Sequence, residues 1–173
     1  GGSNFRVLLV HLDGAGRVRA KQSKFSLTDE LKKVSGEKLF DFFAECVANF
    51  MKEEKITSND IENPLALGFT FSFAVNQTAI NRGTLISWSK GFENEGVVGK
   101  DVVKLLEEAF KRRDVNVKVT ALVNDTVGTL ATHAYRDPQT YVSVILGTGT
   151  NAAYVEKAAN IKKLESNIDN DFV

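Results

Sequence analysis

Leu67-Gly68-Phe69-Thr70-Phe71-Ser72-Phe73 is the stretch that decides the fold: an apolar, aromatic-rich run with the look of a strand, closing on a hydroxyl. Trp88-Ser89-Lys90-Gly91-Phe92 and Ala121-Leu122-Val123-Asn124-Asp125-Thr126-Val127-Gly128-Thr129 repeat the device. In each, Ser72, Ser89 with Lys90, or Asn124 with Asp125 stands where an apolar segment stops. Strands that end in polar groups are how an α/β sheet aims side chains into a cleft beyond its edge.

The flanking chain agrees with that class. Residues 5–12 form a strand-like run, and Asp13-Gly14-Ala15-Gly16 reads as a hairpin turn into a second strand at 17–21. Residues 24–36 lack a period and read as loop with a helical turn. Over 37–54, Leu39, Phe40, Phe43, Val47, Phe50 and Met51 recur at three and four, one face of an amphipathic helix. Further strands are expected at 65–73, 84–89, 115–123, 141–146 and 151–155, and helices at 101–111 and 126–135. The segment 76–83 reads as polar turn, 91–99 as glycine-containing loop, and the chain turns polar from Glu156. Alternation of strands and helices predicts a mixed α/β sheet flanked by helices.

Composition sets bounds on function. The 173 residues suffice for one domain or slightly more, and 43% hydrophobic with 25% charged residues is ordinary for a globular protein. The 22 basic residues balance the 22 acidic ones, so no field advertises nucleic acid or an anionic membrane as a partner. The dense cluster Lys111-Arg112-Arg113 falls at a helix end, where cations complement the helix dipole. Cys46 is the only cysteine, which excludes an internal disulfide framework and suits a reducing, cytoplasmic compartment. No apolar run approaches the ~20 residues that span a bilayer. The sequons at Asn76 and Asn124 read as chance. The chain opens without Met, which reads either as a piece of a longer protein or as a Gly-Gly-Ser expression scar.

Several groups could carry chemistry. Asp125 precedes a helix start, where backbone dipoles hold a carboxylate that can accept a proton from a hydroxyl; it could equally be the helix cap. Gly147-Thr148-Gly149-Thr150, between two strands, forms either an anion nest or a hairpin turn, and Gly1-Gly2-Ser3-Asn4 also abuts a strand. Two such turns suggest a phosphate clamp. Lys90 either donates to a hydroxyl-rich ligand or is solvated, and Ser72 and Ser89 could be satisfied by backbone. Asn76, Gln77 and Asn81 line the same cleft or its rim. His11 and His133 have no metal-spaced partners and read as structural or surface residues.

In order, Leu67 to Ser72, Trp88 to Phe92, Asn124 to Thr129 and Gly147 to Asn151 resemble four signatures of the eukaryotic, fungal-type hexokinase and glucokinase family, and Gly1 to Val7 resembles the tail of its first phosphate motif. The resemblance runs to about residue 164. It implies an actin-like, ribonuclease-H-like fold of two lobes, with residues 1–136 the smaller lobe and 137–173 the start of the larger. It implies an ATP-dependent hexose 6-phosphotransferase of the entry step of glycolysis, using magnesium with ATP and taking glucose. Asp125 then corresponds to the general base, Ser72, Ser89, Lys90, Asn124 and Asn151 to sugar-contacting positions. Gly1, Gly2, Ser3, Asn4, Gly147, Thr148, Gly149 and Thr150 correspond to phosphate-contacting ones. Ser89 and Ser3 stand where the family usually has Thr, and no proline follows Phe73. The aspartate before the Gly-Gly pair, the downstream sugar-gripping glutamates and the adenosine-binding segment are not in these residues, so the alternative is a non-catalytic sugar-binding or regulatory protein.

Overall fold

The computed structural model describes residues 4–56, 64–147 and 149–161. Expectations placed on Gly1, Gly2, Ser3, Thr148 and the last twelve residues lie outside that set.

β1 (Asn4–Leu12) and β2 (Val18–Ser26) pair antiparallel without a register slip, from Asn4 opposite Ser26 to Leu12 opposite Val18. Period-two alternation sorts β1: Val7 is buried and Phe5 and Leu9 pack on the core, while Leu8, Val10 and Leu12 face outward. Asp13 organises the hairpin tip by accepting the N–H groups of Ala15 at 2.8 Å and Arg17 at 3.1 Å. The Gly14 N–H donates to the Tyr135 hydroxyl at 2.8 Å, fastening the tip to the end of the third helix.

α1 (Gly36–Glu53) starts at Ser35, whose hydroxyl faces the Lys38 N–H, and buries Leu39, Phe40, Phe43, Ala44, Cys46, Val47 and Phe50. α2 (Val102–Arg112) is capped by Asp101, which accepts the Val103 N–H at 2.9 Å, and buries Val102, Val103, Leu106, Ala109 and Phe110. The two apolar stripes pack on each other. The basic cluster ends α2 as expected, with Arg112 reaching Asp41 on α1 at 2.6 and 2.9 Å.

Against α2 packs the parallel ladder of β3 (Leu65–Thr70) and β6 (Val117–Val123), with Phe69, Val119 and Leu122 buried. Its crossover contains α2 and the antiparallel hairpin of β4 (Ala74–Ala79) and β5 (Arg82–Ser87). The hairpin corrects the expectation of a polar turn over 76–83. β4 does alternate, but its inward positions include Gln77, whose amide is satisfied by donating to the Leu122 carbonyl at 2.7 Å and the Ala79 carbonyl at 3.2 Å. A hydrogen-bonded glutamine on the inner face hid the strand from a hydrophobic pattern. The Leu122 N–H in turn donates to the Ile80 carbonyl at 2.7 Å, tying this hairpin to β6.

α3 (Asp125–Ala134) follows β6 directly and packs on the antiparallel pair β7 (Val142–Leu146) and β8 (Thr150–Tyr154). Buried Ser143 donates its hydroxyl to the Thr126 carbonyl at 2.7 Å across that contact. Among the described residues the strands form four two-stranded ladders, with helices alternating as the sequence predicts.

Candidate active site

Parallel pairing of β3 and β6 brings two of the three polar phrases to one edge. The register ends at Thr70 opposite Val123, and the Phe71 N–H extends it by donating to the Val123 carbonyl at 2.9 Å. Phe71-Ser72 and Asn124-Asp125 therefore leave the ladder together at its C-terminal end.

The ambiguity at Asp125 is resolved by the residue before it. Asn124 has the extended backbone of an N-cap (φ −72°, ψ 150°), and its Oδ1 accepts the Thr126 N–H at 3.0 Å. Asp125 is the first residue of α3, half-buried, its carboxylate 3.4 Å from the Thr126 hydroxyl. Capping is thus done by the amide, and the carboxylate stands at the positive end of the helix with no capping duty. Asn151 Nδ2 donates to the same Asn124 Oδ1 at 3.1 Å, so the Asn124 amide nitrogen is oriented by two bonds to its oxygen. Asn151 meets the site through Asn124, and its own Oδ1 accepts the Ala152 N–H at 3.0 Å.

Lys90 is clamped rather than solvated. Its Nζ donates to the Ser72 carbonyl at 2.8 Å and lies 5.3 Å from the centroid of the Phe73 ring. Its backbone is left-handed (φ 59°), as is that of Gly91 (φ 78°), and the Phe92 N–H closes the turn onto the Ser89 carbonyl at 3.1 Å. A non-glycine residue held in that region stores of order 1 kcal/mol or more of strain, and such strain persists only where the surroundings impose it. The surroundings here are aromatic: Trp88 stacks on Phe92 (5.4 Å between centroids, 22°) and meets Phe73 edge-on (4.8 Å, 87°). Ser89 itself is exposed.

A cavity of about 90 Å³ under this loop places Asn4, Ser72 and Lys90 on a wall that Phe5, Phe71 and Trp88 help complete. Asp125, Asn124, Ser89 and Asn151 are not in its lining. A groove of about 850 Å³ at the β1–β2 tip is lined by none of the expected site residues; His11, Arg17, Arg19 and Arg136 border it.

The second glycine turn closes the β7–β8 hairpin, with Leu146 opposite Thr150 and the Gly147 N–H donating to the Gly149 carbonyl at 3.1 Å. The side of Gly149 where a side chain would project is open. Of the other candidates, Asn76 is exposed, Gln77 is engaged with β6, and Asn81 reaches only the Val119 carbonyl at 3.5 Å. His11 and His133 are exposed, as expected of surface residues. Among the described residues no three or more His, Cys, Asp or Glu gather as a metal site. Sequence reasoning passed over Asn94, which is 2% exposed behind Trp88 and carries no periodic or motif signal.

An α/β unit with its polar groups gathered past one end of a parallel ladder has the architecture of an actin-like ATPase lobe. The structure matches a hexokinase from Schistosoma mansoni, solved in complex with glucose, at a TM-score of 0.85 and 41% identity, over 94% of this chain and 36% of that one. Hexokinase family models match residues 1–135 and 141–172, and the chain belongs to the hexokinase family. It is 44% identical over 171 residues to the hexokinase of Schwanniomyces occidentalis, covering 99% of this chain and 35% of the relative. It is 50% identical over 166 residues to hexokinase-1 of Spinacia oleracea, covering 94% and 33%. The chain therefore spans about a third of the length of the relatives it matches.

Proposed function

We propose that this chain is the base-bearing, sugar-contacting part of an ATP-dependent hexose 6-phosphotransferase, with glucose as the sugar. The observation that carries the proposal is the division of labour at α3: Asn124 caps the helix, which leaves the Asp125 carboxylate beside the strand end from which Ser72 emerges. A carboxylate so placed takes the proton of the sugar's 6-hydroxyl as that oxygen forms its bond to the γ-phosphorus and ADP departs. Ser72, Ser89, Lys90 and Asn124 hold the sugar so that the hydroxyl faces Asp125, and Asn151 keeps the Asn124 amide turned toward it. Gly1 to Asn4 and Gly147 to Thr150 are the phosphate-contacting segments of this reading. The open side of Gly149 supports the second assignment, since it lets an anion approach the backbone. Magnesium, which neutralises charge on the transferred phosphoryl group, is carried largely by nucleotide oxygens and water, and so needs no dedicated protein cluster.

The division into a smaller lobe over 1–136 and the start of a larger one over 137–173 is supported by the meeting of the two family models between residues 135 and 141. The outer face of β7–β8, where Val142, Val144, Leu146 and Tyr154 are more than half exposed, fits a lobe that continues. A cytoplasmic location is supported by the single cysteine, Cys46, which suits a reducing compartment; among the described residues no helix is long and apolar enough to cross a membrane. The second reading is a non-catalytic sugar-binding or regulatory protein.

Titration calorimetry with glucose, with and without magnesium-ATP, separates the two. Glucose heat together with nucleotide-dependent formation of sugar phosphate supports the transferase. Glucose heat alone supports the binder, and no glucose heat removes both.

A further inference from the structure

Asn94 is the one buried polar side chain in the loop that follows the sugar-contacting phrase, and its partners are far away in sequence. Its Nδ2 donates to the Leu31 carbonyl at 2.8 Å and to the Val34 carbonyl at 2.7 Å, both in the turn that leads into α1. Because both partners are acceptors, the orientation of the amide is determined. Its Oδ1 is then left buried with no partner among the described residues. A buried, unpaired acceptor is unfavourable, a cost set against the two hydrogen bonds that Nδ2 gives to the Leu31 and Val34 carbonyls. What the amide adds is a two-pronged tie between the 88–94 loop and the 31–34 turn. The backbone repeats the tie on either side: the Glu93 N–H donates to the Lys32 carbonyl and the Gly36 N–H to the Glu95 carbonyl, each at 2.8 Å. Gly36 allows that approach, since a side chain there would meet Val97 Cγ2 at 2.2 Å.

The main chain of Asn94 holds the indole: its backbone carbonyl accepts Trp88 Nε1–H at 2.9 Å, and Trp88 supports the Phe73 ring over which Lys90 sits. We propose that Asn94 is a positioning residue for sugar binding, which sets the indole of Trp88 and thereby the neighbouring Ser89 and Lys90 from an anchor on the turn before α1. The proposal rests on the hexose reading above for its ligand, and on the hydrogen bonds alone for its linkage.

Trp88 is the only tryptophan in the sequence, so its emission reports this linkage directly. The test compares the chain with its Asn94→Leu variant, which keeps the number of side-chain heavy atoms and removes the donor, using acrylamide quenching of Trp88, glucose titration and melting. The expected result is stronger quenching before any sugar is added, and a glucose Kd raised about tenfold, the scale of one or two lost hydrogen bonds. A merely structural role would lower the melting temperature and leave the glucose Kd of the folded fraction unchanged. Unchanged quenching and an unchanged Kd overturn the proposal. If Asn94→Leu does not fold, Trp88→Phe, which removes only the indole donor and part of the ring, is titrated by calorimetry, and an unchanged Kd overturns it there too. Failure of the unsubstituted chain to bind glucose overturns the hexose reading instead, and the quenching comparison still decides the linkage.

Discussion

Replacing Asp125 by Asn in this chain, spliced to the remainder of the Schwanniomyces occidentalis hexokinase, separates catalysis from folding. The substitution removes the proposed proton acceptor and leaves the Asn124 cap on the Thr126 N–H in place. A positioned general base contributes about 10²–10⁴ in rate. At about 1.4 kcal/mol per decade, kcat is therefore expected to fall by the equivalent of roughly 3–5 kcal/mol in barrier height. Stability should change little. A carboxylate at a helix N-terminus is worth about 0.3–1 kcal/mol, and among the described residues no other strong bond to Asp125 is lost, since its side-chain partner is the Thr126 hydroxyl at 3.4 Å. For the longer spliced chain that is a melting shift of less than about 4 °C. Asn124→Ala provides the contrast. It deletes the cap, worth about 1 kcal/mol, along with the Asn151 contact, so it should lower the melting temperature further. Glucose phosphorylation coupled to a dehydrogenase measures kcat, and circular dichroism measures melting. If Asp125→Asn retains turnover within about tenfold of the parent, general-base catalysis by this residue is refuted.

Gly36→Ala and Gly128→Ala should shift stability in opposite directions. The added methyl at 36 meets Val97 Cγ2 at 2.2 Å and the Glu95 carbonyl at 3.0 Å, whereas at 128 it meets only Val123 Cγ2 at 3.7 Å inside α3. Urea unfolding is expected to show a loss of about 1–3 kcal/mol for the first and a gain of up to about 1 kcal/mol for the second. Burial pushes the Cys46 thiol up to about 12 from an ordinary value of 9.0. Above pH 9 the unfolded chain loses that proton while the folded chain keeps it, so this contribution to stability is complete below pH 9 and declines as pH rises toward 12. Melting curves between pH 8 and 11 should accordingly fall more steeply for the parent than for Cys46→Ala, and equal slopes would exclude the effect.

Much of the fold was legible because its elements carry their burial pattern locally. α1 shows Leu39, Phe40, Phe43, Val47 and Phe50 at helical spacing and buries all of them. β1 alternates and splits its apolar residues between two faces. β4 was not legible, since what makes it inward-facing at Gln77 is a set of carbonyl acceptors from β6 and the neighbouring turn. Asn94 was hidden for the same reason: its burial is sustained by carbonyls some sixty residues earlier in the chain. Polar residues inside a protein are identified by partners, and partners are a property of the folded chain.

From the sequence alone came the class of fold, the family resemblance and the small set of polar residues at the ends of apolar runs, because periodicity and residue order are local. Tertiary structure alone decided which member of Asn124-Asp125 satisfies the opening N–H groups of α3. It also decided that Lys90 reaches back to the Ser72 carbonyl. Both outcomes depend on backbone angles and distances imposed where β6, α3 and the 88–94 loop meet, and neighbouring residues in a chain do not specify those by themselves.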